Sequence, residues 1–167
     1  MWKRVEKDFA EFPARKQVAR KMIELGLRIG EGGKILCGDV EVKENSLARA
    51  AGVDRRAVNA TVAGIMKDKE LGEIFEAIAP GGALLNKVAH KLGFGVVEIE
   101  ADASKSGILA SAANLLADRK ISVRQVYAED PELFENPKMT LVTEKPVPGN
   151  LLSEFLKIDG VTKVSVS

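Results

Sequence analysis

The 167-residue sequence predicts an α+β protein made of two domains. Apolar residues before the segment Pro80-Gly81-Gly82 recur at helical spacings, whereas apolar residues after it soon alternate as they do in strands. Apolar residues make up 46% of the chain and charged residues 29%, which is typical of a globular protein that buries a core. We therefore expect a mostly helical domain over residues 1–80, a linker over 81–93 and a mixed domain over 94–167.

Composition argues against several classes of protein. Lys and Arg number 25 against 24 Asp and Glu, so any nucleic-acid surface must be local. The single Cys37 allows no internal disulfide, and together with the single His90 it leaves no Cys/His set for zinc. Each of the two is more typical of a packed or surface residue than of a nucleophile or base, so we expect no metal, no cofactor and no enzymatic activity. A single cysteine is typical of a reducing compartment, which predicts a cytoplasmic protein. The start "MWKRVEKDFAEF" is charged where a signal peptide is apolar, and the most apolar later run, "GILASAANLLA", is too short and too polar to span a bilayer.

The first domain is predicted to contain an amphipathic helix in "PARKQVARKMIELGLRIG", with Pro13 in its first turn. Its apolar stripe follows spacings of four, three and four: Val18, Met22, Leu25 and Ile29. Its other faces carry four cations, Arg15, Lys16, Arg20 and Lys21. Two β-prone runs around Gly38-Asp39 then predict either a small hairpin or an irregular connection. The sequence is therefore consistent with a winged form of the domain and with a form that has no wing.

The stretch "NSLARAAGVDRRAVNATVAGIM" predicts two helices joined by a tight corner. Asn45 or Ser46 is expected to cap the first helix, and Gly52 supplies the left-handed turn that a Cβ resists. Asp54 is expected to cap the second helix. One face of that helix is apolar (Val58, Val62, Ile65 and Met66), and the opposite face is not (Arg55, Arg56, Asn59, Ala60 and Ala63).

This corner resembles the helix-turn-helix of bacterial and archaeal regulators, in which the second helix enters the major groove. The resemblance implies that Arg55, Arg56 and Asn59 contact double-stranded DNA, with Arg49 as a neighbouring cation. Arginine suits guanine and asparagine suits adenine, and no acidic residue follows Asp54 on the non-core face. The alternative is an ordinary αα-corner whose arginines are only solvated.

The second domain alternates strands and helices in the order βαββαβ. Strands are predicted in "FGVVEIEAD", "ISVRQVYAED", "PKMTLVTEKP" and "GVTKVSVS", and helices in "KSGILASAANLLADRK" and "GNLLSEFLKI". The inner face of the first helix is expected to hold five apolar residues, Ile108, Leu109, Ala112, Leu115 and Leu116. This order predicts a ferredoxin-like fold, with two helices over one face of an antiparallel sheet.

Residues from about Phe94 to Ser167 resemble an ACT domain, a regulatory module of amino-acid metabolism. The resemblance is strongest in "SGILASAANLLADRKISVRQV", with its Gly-apolar-Leu helix start, paired leucines and I-x-V strand entry, and in the closing "LLSEFLKIDGVTKVSV". The whole chain resembles predicted archaeal regulators of amino-acid metabolism that join a DNA-binding-like domain to an ACT domain. The implied function is a ligand-responsive transcriptional regulator. The alternative is a regulatory subunit or interaction module that acts on a metabolic enzyme without DNA.

The ACT resemblance implies an effector, usually an amino acid, at the loop after the first strand. The polar groups and free amides there are the ligand-binding candidates: Asp102, Ser104, Lys105, Ser106, Gly107 and Ile108. The loop departs from the family's Asp-x-Pro-Gly pattern at Ser104 and Ser106, either of which could simply cap the helix. The resemblance also implies side-by-side pairing of two sheets, hence a homodimer or a higher even oligomer.

Overall fold

The computed structural model describes residues 2–167. The chain divides into two compact units, and the division in sequence falls between Gly82 and Ala83. Over the described residues, no helix has both the length and the apolar character that crossing a membrane requires.

The N-terminal unit combines helices with a small antiparallel sheet. Its elements in chain order are α1 (Trp2–Asp8), α2 (Pro13–Glu24), β1 (Leu27–Ile29), β2 (Ile35–Cys37), β3 (Val40–Glu41), α3 (Glu44–Ala51), α4 (Arg55–Lys67) and α5 (Lys69–Ala77). Apolar side chains from the helices form the buried interior, among them Val5, Val18, Met22, Leu47, Val58, Ile65 and Phe75. Helices α2, α3 and α4 pack on one another, so their amphipathic faces close one core.

Helix α2 is shorter than its apolar spacing predicts. It ends at Glu24, Leu25 is 48% exposed, and Ile29 lies in β1, so the predicted helical stripe is wrong at its last two positions. Gly26 explains the early end, because its φ of +64° is a left-handed conformation that stops a helix. A Cβ at Gly26 would lie 2.6 Å from Pro80 Cα, so the close approach also requires glycine.

The β-prone runs around Gly38 form a hairpin rather than an irregular connection. Strands β2 and β3 pair antiparallel with Cys37 opposite Val40, and Gly38 adopts a φ of +57° in the turn. Strand β1 pairs with the other edge of β2, which gives the order β1-β2-β3. All of these strands precede α3 and α4 in the chain.

The C-terminal unit has the predicted βαββαβ order, and its α+β fold class is confirmed. The elements are β4 (Gly95–Ala101), α6 (Ile108–Asp118), β5 (Val123–Ala128), β6 (Lys138–Thr143), α7 (Leu152–Phe155) and β7 (Val161–Val166). The four strands form an antiparallel sheet in the order β5-β6-β4-β7. Helix α7 is a single turn, preceded by a 3-10 turn over Gly149–Leu151.

Both faces of this sheet carry buried apolar residues. The main core joins sheet and helices through Val97, Ile99, Ala112, Leu116, Leu141, Leu151 and Phe155. On the other face, a 3-10 helix over Asn86–Leu92 places Ala89 against Val96 and Val142. The prediction of a core position for Leu109 is wrong, since this residue is 45% exposed and Ala112 and Leu116 alone fill the fully buried stripe of α6.

Candidate functional site

The corner between α3 and α4 is built by local backbone chemistry. Gly52 ends α3 with φ of 67° and ψ of 33°, and the Val53 amide donates to the Ala48 carbonyl at 3.0 Å. Asp54 then caps α4, since its Oδ1 accepts a hydrogen bond from the Arg56 amide at 2.8 Å. The predicted turn and the predicted cap of the second helix are both confirmed.

The start of α3 differs from the prediction. The helix begins at Glu44 with Lys43 at the capping position and no side-chain cap, so the expected caps Asn45 and Ser46 lie inside the helix. The Lys43 carbonyl instead accepts hydrogen bonds from the amides of Ser46 and Leu47, at 2.9 and 3.2 Å. Because the helix already begins after Lys43, the side chains of Asn45 and Ser46 are not at the capping position.

Helix α4 presents one buried and one exposed face. Val58, Thr61, Val62 and Ile65 are buried, and the Thr61 hydroxyl donates to the Ala57 carbonyl at 2.7 Å. Met66 is 53% exposed, so its predicted place in the core is wrong. The buried stripe runs through positions three and four apart, and Met66 lies about 100° further around the helix than Ile65.

Every predicted DNA-binding residue lies on the exposed surface of this corner. Arg55, Arg56 and Asn59 are exposed on the first turns of α4, and Arg49 is exposed on α3. Within residues 2–167, no carboxylate lies within ion-pair distance of Arg49, Arg55 or Arg56. Their guanidinium groups are therefore available to an external anion.

The helix α2 cations differ from those of the corner. Lys16 Nζ lies 2.6 Å from Glu6 Oε1, and Arg20 Nε lies 2.9 Å from Glu24 Oε1. Lys21 also pairs with Glu24. These three cations therefore already have carboxylate partners, whereas Arg15 lies over an aromatic ring instead.

A cleft of about 410 Å³ lies between the start of α2 and the first turns of α4. We call it the Phe12–Arg15 cleft; it is lined by Glu11, Phe12, Pro13, Ala14, Arg15, Arg56, Ala57 and Ala60. The guanidinium carbon of Arg15 lies 4.2 Å from the centroid of the Phe12 ring. Phe12 is 45% exposed, which is uncommon for a phenylalanine side chain.

The loop between β4 and α6 carries the predicted effector site, and its first half forms a closed turn. Asp102 Oδ1 accepts hydrogen bonds from the Ser104 amide at 2.9 Å and from the Ser104 hydroxyl at 2.7 Å. These bonds, the hydroxyl's first, lower the pKa of the Asp102 carboxyl below its usual range. The Asp102 amide donates to the Gly160 carbonyl at 2.8 Å, which ties the loop to the turn before β7.

A cavity of about 320 Å³ lies at the end of this loop, between the sheet and the start of α6. Of the predicted ligand-binding residues, Lys105, Gly107 and Ile108 line it, whereas Asp102, Ser104 and Ser106 do not. The other wall residues are Ile99, Ala101, Ala103, Leu109, Ala128, Glu129, Pro131, Pro137, Lys138 and Met139. Sequence reasoning missed Glu129 and Lys138, although the βαββαβ order places the end of β5 and the start of β6 near the end of β4.

The charged groups around this cavity are held by other residues. Lys105 Nζ lies 3.1 Å from Asp159 Oδ2, and this hydrogen bond raises the pKa of Lys105. Glu129 Oε2 accepts a hydrogen bond from the Lys138 amide at 2.9 Å. Gly160 lets the stem of Lys105 lie close, because a Cβ there would be 2.8 Å from Lys105 Cγ.

No protein-family model matches the chain, and no curated protein matches it. Among solved structures, it is similar to the crystal structure of PH0061, with 19% identity over 92% of this chain and 88% of the other, at a TM-score of 0.27. It is also similar to the crystal structure of MtbAldR (Rv2779c), with 15% identity, coverage of 91% and 90%, and a TM-score of 0.26. A third is the transcriptional regulatory protein PF0864 from Pyrococcus furiosus, a member of the AsnC family, with 12% identity, coverage of 75% and 77%, and a TM-score of 0.24.

Proposed function

We propose that the chain is a transcriptional regulator that binds double-stranded DNA through its α3–α4 corner and a small effector through its C-terminal unit. The observation that carries the DNA-binding part is the set of exposed arginines without carboxylate partners within residues 2–167, Arg49, Arg55 and Arg56. Because these arginines hold no such ion pair, a phosphate or a base edge can bind them without breaking one.

The cations of the corner favour the binding of an anionic partner. The chain as a whole has a net charge of only +1, so binding depends on this local concentration of cations. Asp54 is the acidic residue nearest in sequence to the two α4 arginines, and its carboxylate is engaged by the Arg56 amide. Asn59 lies one turn after Arg55 and Arg56 on the exposed side of α4, where it can reach a base edge.

The DNA-binding proposal is tested by the double variant Arg55→Ala/Arg56→Ala. We expect its affinity for duplex DNA to fall by about ten-fold or more, since each arginine that binds a base edge contributes roughly 1–3 kcal/mol. The matched control is Lys67→Ala/Lys69→Ala, which removes the same charge near the other end of α4, about 18 Å from Arg55. Equal affinities of both variants for DNA would contradict the assignment and favour the alternative, a protein-docking module.

The effector part of the proposal is supported by the chemistry of the cavity beside the β4–α6 loop. Amides at the start of α6 and the Lys105 ammonium suit a carboxylate, and the Glu129 carboxylate suits an ammonium group. Apolar walls, including Ile99 and Met139, suit a hydrocarbon side chain. These groups together match a free amino acid, which is also what the ACT resemblance implies.

A thermal-shift screen against the twenty amino acids tests the effector. A ligand that binds only the folded state must raise its stability, so one amino acid should raise the Tm of the wild type. Lys105→Ala should reduce that rise, whereas Lys157→Ala, an exposed lysine outside the cavity, should not. A rise that is the same in both variants would remove Lys105 from the site.

A homodimer or a higher even oligomer is part of the same proposal. Strand β5 lies at an edge of the sheet and exposes 45% of Val126 and 43% of Tyr127, so its pairing with a second copy would cover an open edge. Two-fold symmetry would also match a palindromic DNA site. Light scattering should give an even multiple of 18.0 kDa, and a monomer would contradict this part.

A further inference from the structure

The Phe12–Arg15 cleft has a composition that packing alone does not explain. Its lining residues include two arginines, Arg15 from α2 and Arg56 from α4, and one acidic residue, Glu11. Neither arginine is within ion-pair distance of a carboxylate among residues 2–167. Small side chains supply much of the remaining lining: Pro13, Ala14, Ala57 and Ala60.

We propose that this cleft binds a backbone phosphate of DNA, with Arg15 and Arg56 as its ligands and Phe12 as a positioning residue. The proposal rests on the DNA binding inferred above. A phosphate would be an anionic partner for both arginines, and its oxygens can accept hydrogen bonds from both guanidinium groups. A docked apolar protein segment would contact the same small side chains but would leave the two arginine charges without a counterion.

Stacking restricts the motion of the half-buried Arg15 side chain. The Arg15 guanidinium lies over the Phe12 ring, with its central carbon 4.2 Å from the ring centroid. A cation–π contact of this kind uses the face of the guanidinium, so its N–H groups stay free to donate to an anion. Since less side-chain freedom remains to be lost on binding, the stacking makes phosphate capture by Arg15 more favourable.

The packing of α2 against α4 holds in place the two helices that carry Arg15 and Arg56. Both helices contribute fully buried residues to one core, Val18 and Met22 from α2 and Val58 and Ile65 from α4. The cleft therefore assigns Arg56 to the phosphate backbone, and leaves Arg55 and Asn59 for base edges. Phosphate contacts carry no sequence information, so removal of Arg15 should weaken binding to all DNA sequences alike.

The test uses the full chain and a labelled DNA duplex of mixed sequence, titrated at salt concentrations from about 50 to 200 mM. Arg15→Ala should lower affinity about five- to ten-fold and should reduce the slope of log K against log salt by about 0.9, the value for one phosphate. Arg20→Ala is the matched control, because it removes the same charge from α2 but its side chain pairs with Glu24. Its slope should equal that of the wild type.

The role of Phe12 is tested by variants that keep every charge. Phe12→Leu should lower affinity about two- to five-fold without changing the salt slope, since it removes stacking but no cation. Phe12→Trp should retain wild-type affinity because it keeps a ring face. Phe12 is exposed, so thermal unfolding should be the same for all three proteins, which separates positioning from a structural role.

The outcomes separate this proposal from the one on which it rests. Arg15→Ala could match the wild type in affinity and slope while Arg55→Ala/Arg56→Ala binds DNA about ten-fold or more weakly. The phosphate site in the cleft would then be wrong, and the proposal that α4 binds DNA would be retained. If Phe12→Leu binds like the wild type, the positioning role is wrong. If the wild type binds no duplex at low salt, both proposals are wrong, and the cleft is then a candidate protein-docking surface.

Discussion

The arginines of the α3–α4 corner and the lysines of the cavity beside the β4–α6 loop differ in whether they already have carboxylate partners. Arg49, Arg55 and Arg56 are exposed and have no carboxylate partner within residues 2–167. Lys105 is held by Asp159 at 3.1 Å, and Lys138 lies 3.4 Å from Glu100. The corner arginines can therefore bind an anion directly, whereas a lysine of the cavity must leave its carboxylate partner before it can bind another anion.

This difference suggests how each site would respond to its ligand. A surface ion pair is worth only about 0–1 kcal/mol, so a bound carboxylate can draw Lys105 away from Asp159 at little cost. Asp159 and Gly160 form the turn before β7, so such an exchange would release an interaction between the loop and that turn. Ligand binding in the cavity would thus loosen the contact between the loop and the turn, whereas phosphate binding at the corner would break no ion pair with a carboxylate of residues 2–167.

The largest effect on stability should come from a pair of glycine substitutions, one in each region. Gly160→Ala places a Cβ 2.8 Å from Lys105 Cγ at a φ of +86°, whereas Gly52→Ala, at +67°, meets no atom within 4 Å. We expect losses of roughly 2–3 kcal/mol for Gly160→Ala and roughly 1–2 kcal/mol for Gly52→Ala.

Urea unfolding can measure each loss in its own unit. Trp2 is the only tryptophan and is buried in the N-terminal unit, and Tyr127 is the only tyrosine and lies in the C-terminal unit. Gly160→Ala should also weaken effector binding, because it displaces Lys105. Equal losses for the two variants would mean that the Lys105 stem does not crowd Gly160.

A smaller effect should follow from changing the cap of α4. Asp54→Asn keeps a good capping residue but removes the negative charge beside Arg55 and Arg56. We expect DNA affinity to rise about three-fold, because the substitution removes the repulsion between the Asp54 carboxylate and a nearby DNA phosphate. Two like unit charges about 6 Å apart in water repel by roughly 0.7 kcal/mol. Asp54→Ala should in addition cost the N-terminal unit about 1 kcal/mol of stability. Unchanged DNA affinity in Asp54→Asn would place the bound DNA away from this end of α4.

The smallest effect concerns the protonation of Asp102 in the β4–α6 loop. Because the Ser104 hydroxyl and amide lower the pKa of Asp102, its contribution to stability is present above the unfolded pKa and is lost as pH falls through the folded one. Ser104→Ala removes the hydroxyl bond, so the pKa of Asp102 should rise towards its usual value. Carboxyl NMR titration measures this, with Ser106→Ala as the control. The same pKa in both variants would contradict the hydrogen-bonded turn.

Local patterns predict the elements that depend on local chemistry. The alternation and helical spacing after Phe94 predict the βαββαβ order, and Gly52 and Asp54 predict the corner between α3 and α4, because caps and left-handed turns depend on residues close in sequence. The DNA-binding and effector roles assigned to these places stay predictions.

The failures arise where distant parts of the chain decide the outcome. The early end of helix α2 is an exception, because Gly26 is a local stop signal and only its close approach to Pro80 depends on the fold. Glu129 and Lys138 reach the cavity only through the pairing of β6 with β4 and β5. The ion pair that holds Lys16 likewise depends on which carboxylate the fold brings near.

The most direct test of the central claim is the salt dependence of DNA binding by the wild type and by Arg49→Ala/Arg55→Ala/Arg56→Ala. If the unpaired arginines of the corner bind phosphates, the wild type should show a steep negative slope of log K against log salt. The slope of the triple variant should be shallower by about 0.9 for each phosphate that the protein no longer neutralises. Equal slopes for the two proteins, or no binding by the wild type at low salt, would contradict the claim that this corner is a DNA-binding surface.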